Sequence, residues 1–233
     1  MKDLNQLVIS LQDVFSSRLL SVFIFGSKAN ATNESLDSNV DLFIIVDNVR
    51  SDDLTKLYPY TQRWIAKGNP YPLIMGKDEF YAMSDIYAIE YSDIKWNNQL
   101  IYGDDLVQAL NINYFDLRLQ CERELKNLIL KLRGFYLEHG RNKSAIIPAI
   151  DTIARTVAVL FRALIRLKNL APSVYKQDLI EQLGSVVRFD KQFFKKLIGQ
   201  KEGTYQFNTS EIYEFNEYLI SQLTSILKQV SDM

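Results

Sequence analysis

Apolar positions change their period along this chain. Leu4, Leu7, Val8, Leu11 and Phe15 recur at helical spacing and predict a helix over residues 3–18. Leu19–Phe25 and Val40–Val46 are short, β-branched and aromatic-rich runs, which read as buried strands. Residues 52–67 read as a helix closed by Gly68, with Pro59 expected to disturb or split it. Residues 71–75 follow as a third strand, 77–83 as a short helical piece and 87–94 as a fourth strand. The segment 99–102 then leads to a turn at Gly103-Asp104-Asp105.

Beyond residue 110 the pattern is helical throughout. Leu117, Cys121, Leu125, Leu128, Leu132 and Phe135 form one stripe over residues 114–138, ending at Gly140. Arg118, Glu122 and Lys126 stand at i,i+4 spacing beside it. Ser144 is a cap candidate for a second helix reaching about residue 170, apolar over a wide arc. Ser173, Asp190 and Thr209 or Ser210 are cap candidates for three more. The expected fold is therefore α+β: a mixed-sheet domain over 1–110 and an all-α bundle over 111–233.

Composition narrows the function classes. Lys plus Arg number 27 against 28 Asp plus Glu, so the basic footprint of a nucleic-acid binder is missing and no nucleic-acid partner is expected. A single cysteine, Cys121, excludes an internal disulfide and fits a reducing compartment such as the cytoplasm. No unbroken apolar run approaches ~18 residues, so no membrane span is expected. A homodimer is compatible with the chain.

The candidate chemistry lies in one stretch, VFIFGSKANATNESLDSNVDLFIIV, residues 22–46. A strand ends at Gly26-Ser27-Lys28, a polar loop follows, and Asn39-Val40-Asp41 opens the next strand. Gly26 lets the backbone approach a phosphate closely, Ser27 can donate a hydrogen bond to it, and Lys28 adds positive charge. Alternate strand residues point to one face, so residues 39 and 41 can address one metal cluster; Asp37 shares their parity and reaches it only if the chain bends there.

This arrangement resembles the signature of the polymerase-β-type nucleotidyltransferases, Gly-Ser after one strand and Asp-x-Asp at the start of the next. PLIMGKDEF, IEYSDI, LIYGDD and LRLQCERELKNLILKLRGFYL extend the likeness to a bacterial group with a helical C-terminal half, arranged like the aminoglycoside nucleotidyltransferases. The resemblance implies transfer of a nucleoside monophosphate from a nucleoside triphosphate, ATP first among them, to a hydroxyl of a small-molecule or protein acceptor held between the domains. It places Gly26 and Ser27 at the triphosphate, and residues 39 and 41 at Mg²⁺. It also implies a third carboxylate on a later strand, as metal ligand or base. Glu90 is preferred over Asp93, which as a strand neighbour would face the other way.

One residue departs from the pattern. Asn39 offers a neutral oxygen where the family has a carboxylate. Two unit charges ~4 Å apart interact by about 4 kcal/mol at an effective dielectric of 20, and a divalent ion roughly doubles that. Losing one such partner should lower metal affinity by orders of magnitude, unless Asp37 takes its place. The alternative expectation is thus a catalytically silent scaffold that binds a nucleotide, another ligand or a protein partner.

Overall fold

The computed structural model describes residues 2–29, 39–173 and 175–233. The chain divides into two compact units, residues 1–112 and 113–233. In the first, α1 (Lys2–Phe15) leads through a 3-10 turn into β1 (Leu19–Phe25). Then come β2 (Asp41–Val46), α2 (Ser51–Ile65), β3 (Leu73–Gly76), α3 (Lys77–Ala82), α4 (Ala88–Trp96) and β4 (Asn98–Gly103). The sheet order is β3-β2-β1-β4; β1 runs antiparallel to both β2 and β4, and β2 parallel to β3.

The two inner strands are buried on both faces, which explains their nearly continuous apolar runs. Val22, Ile24, Leu42, Ile44 and Val46 face Leu4, Leu7, Leu11 and Phe15 of α1 and Leu57 and Trp64 of α2. Phe23, Phe43 and Ile45 face Phe80, Tyr91, Ile94, Val107 and Leu110 on the other side. The rings of Phe23 and Phe43 stack at 5.1 Å across β1 and β2, with Phe80 edge-on to both.

Two expectations change here. Helix α2 passes through Pro59 unbroken. An interior proline costs about 3 kcal/mol; it is offset by burial of Leu57 and Trp64 on either side and by firm anchorage of the first turn, where Asp53 takes a bidentate pair of bonds from Arg18 at 2.8 and 2.6 Å. The segment 87–94 is not a strand. It forms most of α4, and the fourth strand is 98–103. Ala88, Tyr91 and Ile94 recur every third residue and are buried, whereas Glu90 between them is exposed. A short apolar run fits either period, and the packed face decides between them.

The second unit comprises α5 (Tyr114–His139), α6 (Lys143–Arg166), α7 (Lys176–Leu183), α8 (Lys191–Glu202) and α9 (Thr209–Ser231). The α5 stripe from Leu117 to Leu132 is buried with Cys121, and Glu122 pairs with Arg118 and, at 3.5 Å, with Lys126. Helix α6 is long and apolar enough to cross a membrane by length and composition; most of its apolar positions from Ile146 to Ile165 are buried in this unit, while Ile147 and Val159 are exposed. Three caps differ from expectation. The side chain of Asn142, not Ser144, caps α6, and that of Asn208, not Thr209 or Ser210, caps α9. The residue preceding α7 is Tyr175, whose N–H donates to the Ser173 hydroxyl at 3.1 Å. Asp190 does cap α8, accepting from the N–H groups of Gln192 and Phe193.

Candidate functional site

The candidate site is built where β1 stops. Gly26 has φ +72, in the left-handed region, and opens a 3-10 turn through Lys28. Its N–H donates to the Asn97 carbonyl at 3.2 Å, and its own carbonyl accepts from Ala29 N–H at 3.2 Å. A Cβ at this position would lie 3.2 Å from Asp41 Oδ2. The left-handed backbone favours glycine here, and a Cβ would in addition press on the Asp41 carboxylate, which would have to shift by a few tenths of an ångström.

Register brings the other groups to the same end of the sheet. Phe25, the last residue of β1, pairs with Asp41, the first of β2, and with Asn98, the first of β4. Asp41 is half-buried, and burial pushes its carboxyl pKa above the usual carboxylate value. Among the described residues nothing donates a hydrogen bond or an ion pair to that carboxylate. Lys28, half-buried, lies two residues past Gly26 on the turn. Ser27 contributes backbone to the turn; its side chain lies outside the described residues, as do residues 30–38 with Asp37.

Asn39 corrects the strand-parity expectation. Strand β2 begins at Asp41, and Asn39 stands before it, exposed, with φ +56. Alternation along an extended strand therefore does not relate residues 39 and 41. Asn is among the few side-chain-bearing residues that tolerate the left-handed region. The backbone here is held from α2. Asn39 N–H donates to the Gly68 carbonyl at 3.1 Å, and Val40 N–H donates to Asn69 Oδ1 at 3.0 Å.

Glu90 and Asp93 are also corrected. On helix α4, residues three apart share a face, so the two acids are neighbours and not opposites. Asp93 is tied to the turn: Asn97 Nδ2 donates to Asp93 Oδ1 at 3.0 Å, and the Asn97 carbonyl holds Gly26 N–H. Glu90 sits one turn earlier on α4, exposed in a first turn that is otherwise buried, where the helix dipole favours an acid. Among the described residues, no three His, Cys, Asp or Glu side chains gather as a metal-binding set.

Two features went unread in the sequence. Asn97 acts through its main-chain carbonyl, which any residue carries, so no sequence signal marks it. Asn69 had one: it follows the helix-closing Gly68 and precedes Pro70, a place where a polar side chain commonly bonds to nearby backbone.

No known protein-family profile matches the chain. No curated protein matches it either. Among solved structures, the chain is similar to spectinomycin adenyltransferase AAD(9) from Enterococcus faecialis, crystallised with ATP and spectinomycin. The TM-score is 0.56 at 13% sequence identity, with 96% of this chain and 98% of that chain covered. At this identity the likeness is one of fold alone.

Proposed function

We propose that the chain binds a magnesium–nucleoside triphosphate complex, ATP in the first instance, at the Gly26–Lys28 turn and Asp41. The observation that carries this reading is the Asp41 carboxylate laid against the left-handed Gly26 turn at the end of β1. A fold similar to that of a protein crystallised with ATP supports it. The Gly26–Lys28 turn would offer backbone N–H groups to a phosphate, and the Lys28 ammonium would add positive charge beside it. Mg²⁺ that arrives with a nucleotide needs only one or two protein carboxylates, with phosphates and waters completing its shell. Asp41 fits that demand, with the Asn39 amide oxygen as a neutral second ligand; a two-metal centre asks for more acids than the described residues bring together. When bound, the ion neutralises triphosphate charge, which the half-buried Asp41 does not do.

The decisive experiment is calorimetric titration with ATP and GTP, with and without Mg²⁺, on the parent and on Asp41→Ala. Magnesium-dependent binding that Asp41→Ala abolishes is the expected result. No binding of either nucleotide under any condition overturns the reading.

A second reading adds group transfer, with a small-molecule hydroxyl attacking the α-phosphorus and pyrophosphate leaving. The line Glu90, Asp93, Asn97 along α4 towards Gly26 favours it, because either acid could take the hydroxyl proton. Incubation with α-labelled ATP and a panel of hydroxyl-bearing aminocyclitols tests it. Labelled acceptor plus pyrophosphate supports transfer. Nucleotide binding without either product leaves the chain a nucleotide-binding scaffold.

A further inference from the structure

The segment bearing Asn39 and Asp41 is held through its backbone by the chain that closes helix α2. Gly68, at φ +82, follows α2; its N–H donates to the Ile65 carbonyl at 2.9 Å. This αL closure turns the next residues back towards β2. The Gly68 carbonyl accepts from Asn39 N–H, and Asn69 Oδ1 accepts from Val40 N–H at 3.0 Å. Asn69 Nδ2 donates to the Trp64 carbonyl at 3.2 Å, and Trp64 Nε1 donates to the Pro70 carbonyl at 2.9 Å. Asn69 is 7% exposed, and Trp64 is 4% exposed within the α1–α2 core. One buried amide therefore bridges helix α2 to the residue between Asn39 and Asp41.

From this bridge we infer that Asn69 is the positioning residue of the site, fixing through Val40 the direction in which Asp41 presents its carboxylate to Gly26. The inference rests on the nucleotide-binding reading above. Val40 is 1% exposed, so its N–H has no water to fall back on when the amide is removed. The peptide leading to Asp41 would then rotate to find another acceptor. Groups that hydrogen-bond a metal ligand directly change metal affinity by about 10- to 100-fold when removed; Asn69 bonds the peptide one residue before Asp41, which puts its effect at the low end of that range.

The test compares Asn69→Leu, Asn69→Asp and Leu57→Ala with the parent. Leu57 is buried on α2 in the same core but makes none of these hydrogen bonds, so it reports plain destabilisation. Asn69→Leu should weaken Mg·ATP binding by about tenfold. Asn69→Asp keeps an acceptor for Val40 N–H and should retain most of the affinity. Leu57→Ala should lower Tm and leave the Kd of the folded protein unchanged. Parent-like affinity in Asn69→Leu, or an equal loss in Leu57→Ala, overturns the inference. If Asn69→Leu does not fold, Asn69→Ser, which leaves room for a water at Val40 N–H, replaces it with the same criteria. If the parent binds no nucleotide, the preceding reading fails and NMR of the free protein decides this one. Lost Val40 amide protection and a shifted Asp41 carboxylate carbon in the Asn69 variant, with neither in Leu57→Ala, sustain it. Unchanged spectra overturn it.

Discussion

Acids in two parts of this molecule live under opposite conditions. Glu211, at the start of α9 in the helical unit, accepts from Asn208 N–H, from the Tyr205 hydroxyl and from Lys196, and these partners hold its pKa down to about 2. Asp53, in the sheet unit but at the far end of α2 from the site, is held to about 2 by Arg18 and by the N–H of Arg50. Asp41, at the Gly26 turn, is half-buried with no hydrogen-bond or ion-pair partner among the described residues, and burial moves its pKa up. Asp53 and Glu211 contribute to the fold, whereas Asp41 is held in place at some cost to it. A half-buried acid whose pKa is raised by burial fits a site that takes a cation.

Breaking a partnered acid should have the largest effect. Asp53→Ala leaves the Arg18 guanidinium facing a 0%-exposed position and removes the bond to Arg50 N–H. We expect a loss of about 3 kcal/mol in urea unfolding, with nucleotide affinity of the folded protein unaltered. Glu211→Ala removes a capping-box partner and a part-exposed ion pair. It should cost about 1–2 kcal/mol, read by the same measurement.

The signs of the pH dependence should differ as well. Asp53 and Glu211 have lowered folded pKa values, so their contribution is complete above the unfolded carboxylate value. It fades as pH falls from about 4 towards 2. Asp41 has a raised folded pKa, so its protonated form favours the folded state; that benefit is lost as pH rises from the unfolded value through the folded one. Asp41→Asn should therefore leave stability equal or raise it by up to about 1 kcal/mol above that range, while abolishing magnesium-dependent binding. A stability loss as large as that of Asp53→Ala would erase the contrast between the two acids.

The smallest expected change in stability comes from Asn39→Asp. Both residues tolerate the left-handed region and the position is exposed, so unfolding should shift by less than about 0.5 kcal/mol. Magnesium-dependent affinity should nonetheless rise by about tenfold or more, because a divalent ion gains a charged partner. Unchanged affinity would mean that residue 39 does not face the ion.

Much of this was legible along the chain because the signals are local. Leu19–Phe25 reads as a strand ended by Gly26, and the α5 stripe as a buried face, because period and terminator sit within a few residues. Asp190 was legible as a cap for the same reason. Residues 88–96 were not: Ile89, Tyr91 and Ile94 suit a strand by composition, and only the face packed against Phe80 and Val107 makes them helical. That misreading carried into the site, since Glu90 and Asp93 were set on opposite faces of a strand and in fact share a helix face.

By itself, then, the sequence determined the α+β class, the elements up to β3, the Gly26-Ser27-Lys28 turn after β1 and the presence of Asp41 at the head of β2. Each follows from short-range rules of period, φ and hydrogen-bonding capacity. Only the tertiary structure decided that Gly26 and Asp41 touch, that Asn39 turns left-handed before the strand, and that Asn69, 29 positions away, holds Val40. Those facts depend on strand register and on where a helix ends in space. Contacts between distant residues leave no periodic trace in the chain that makes them.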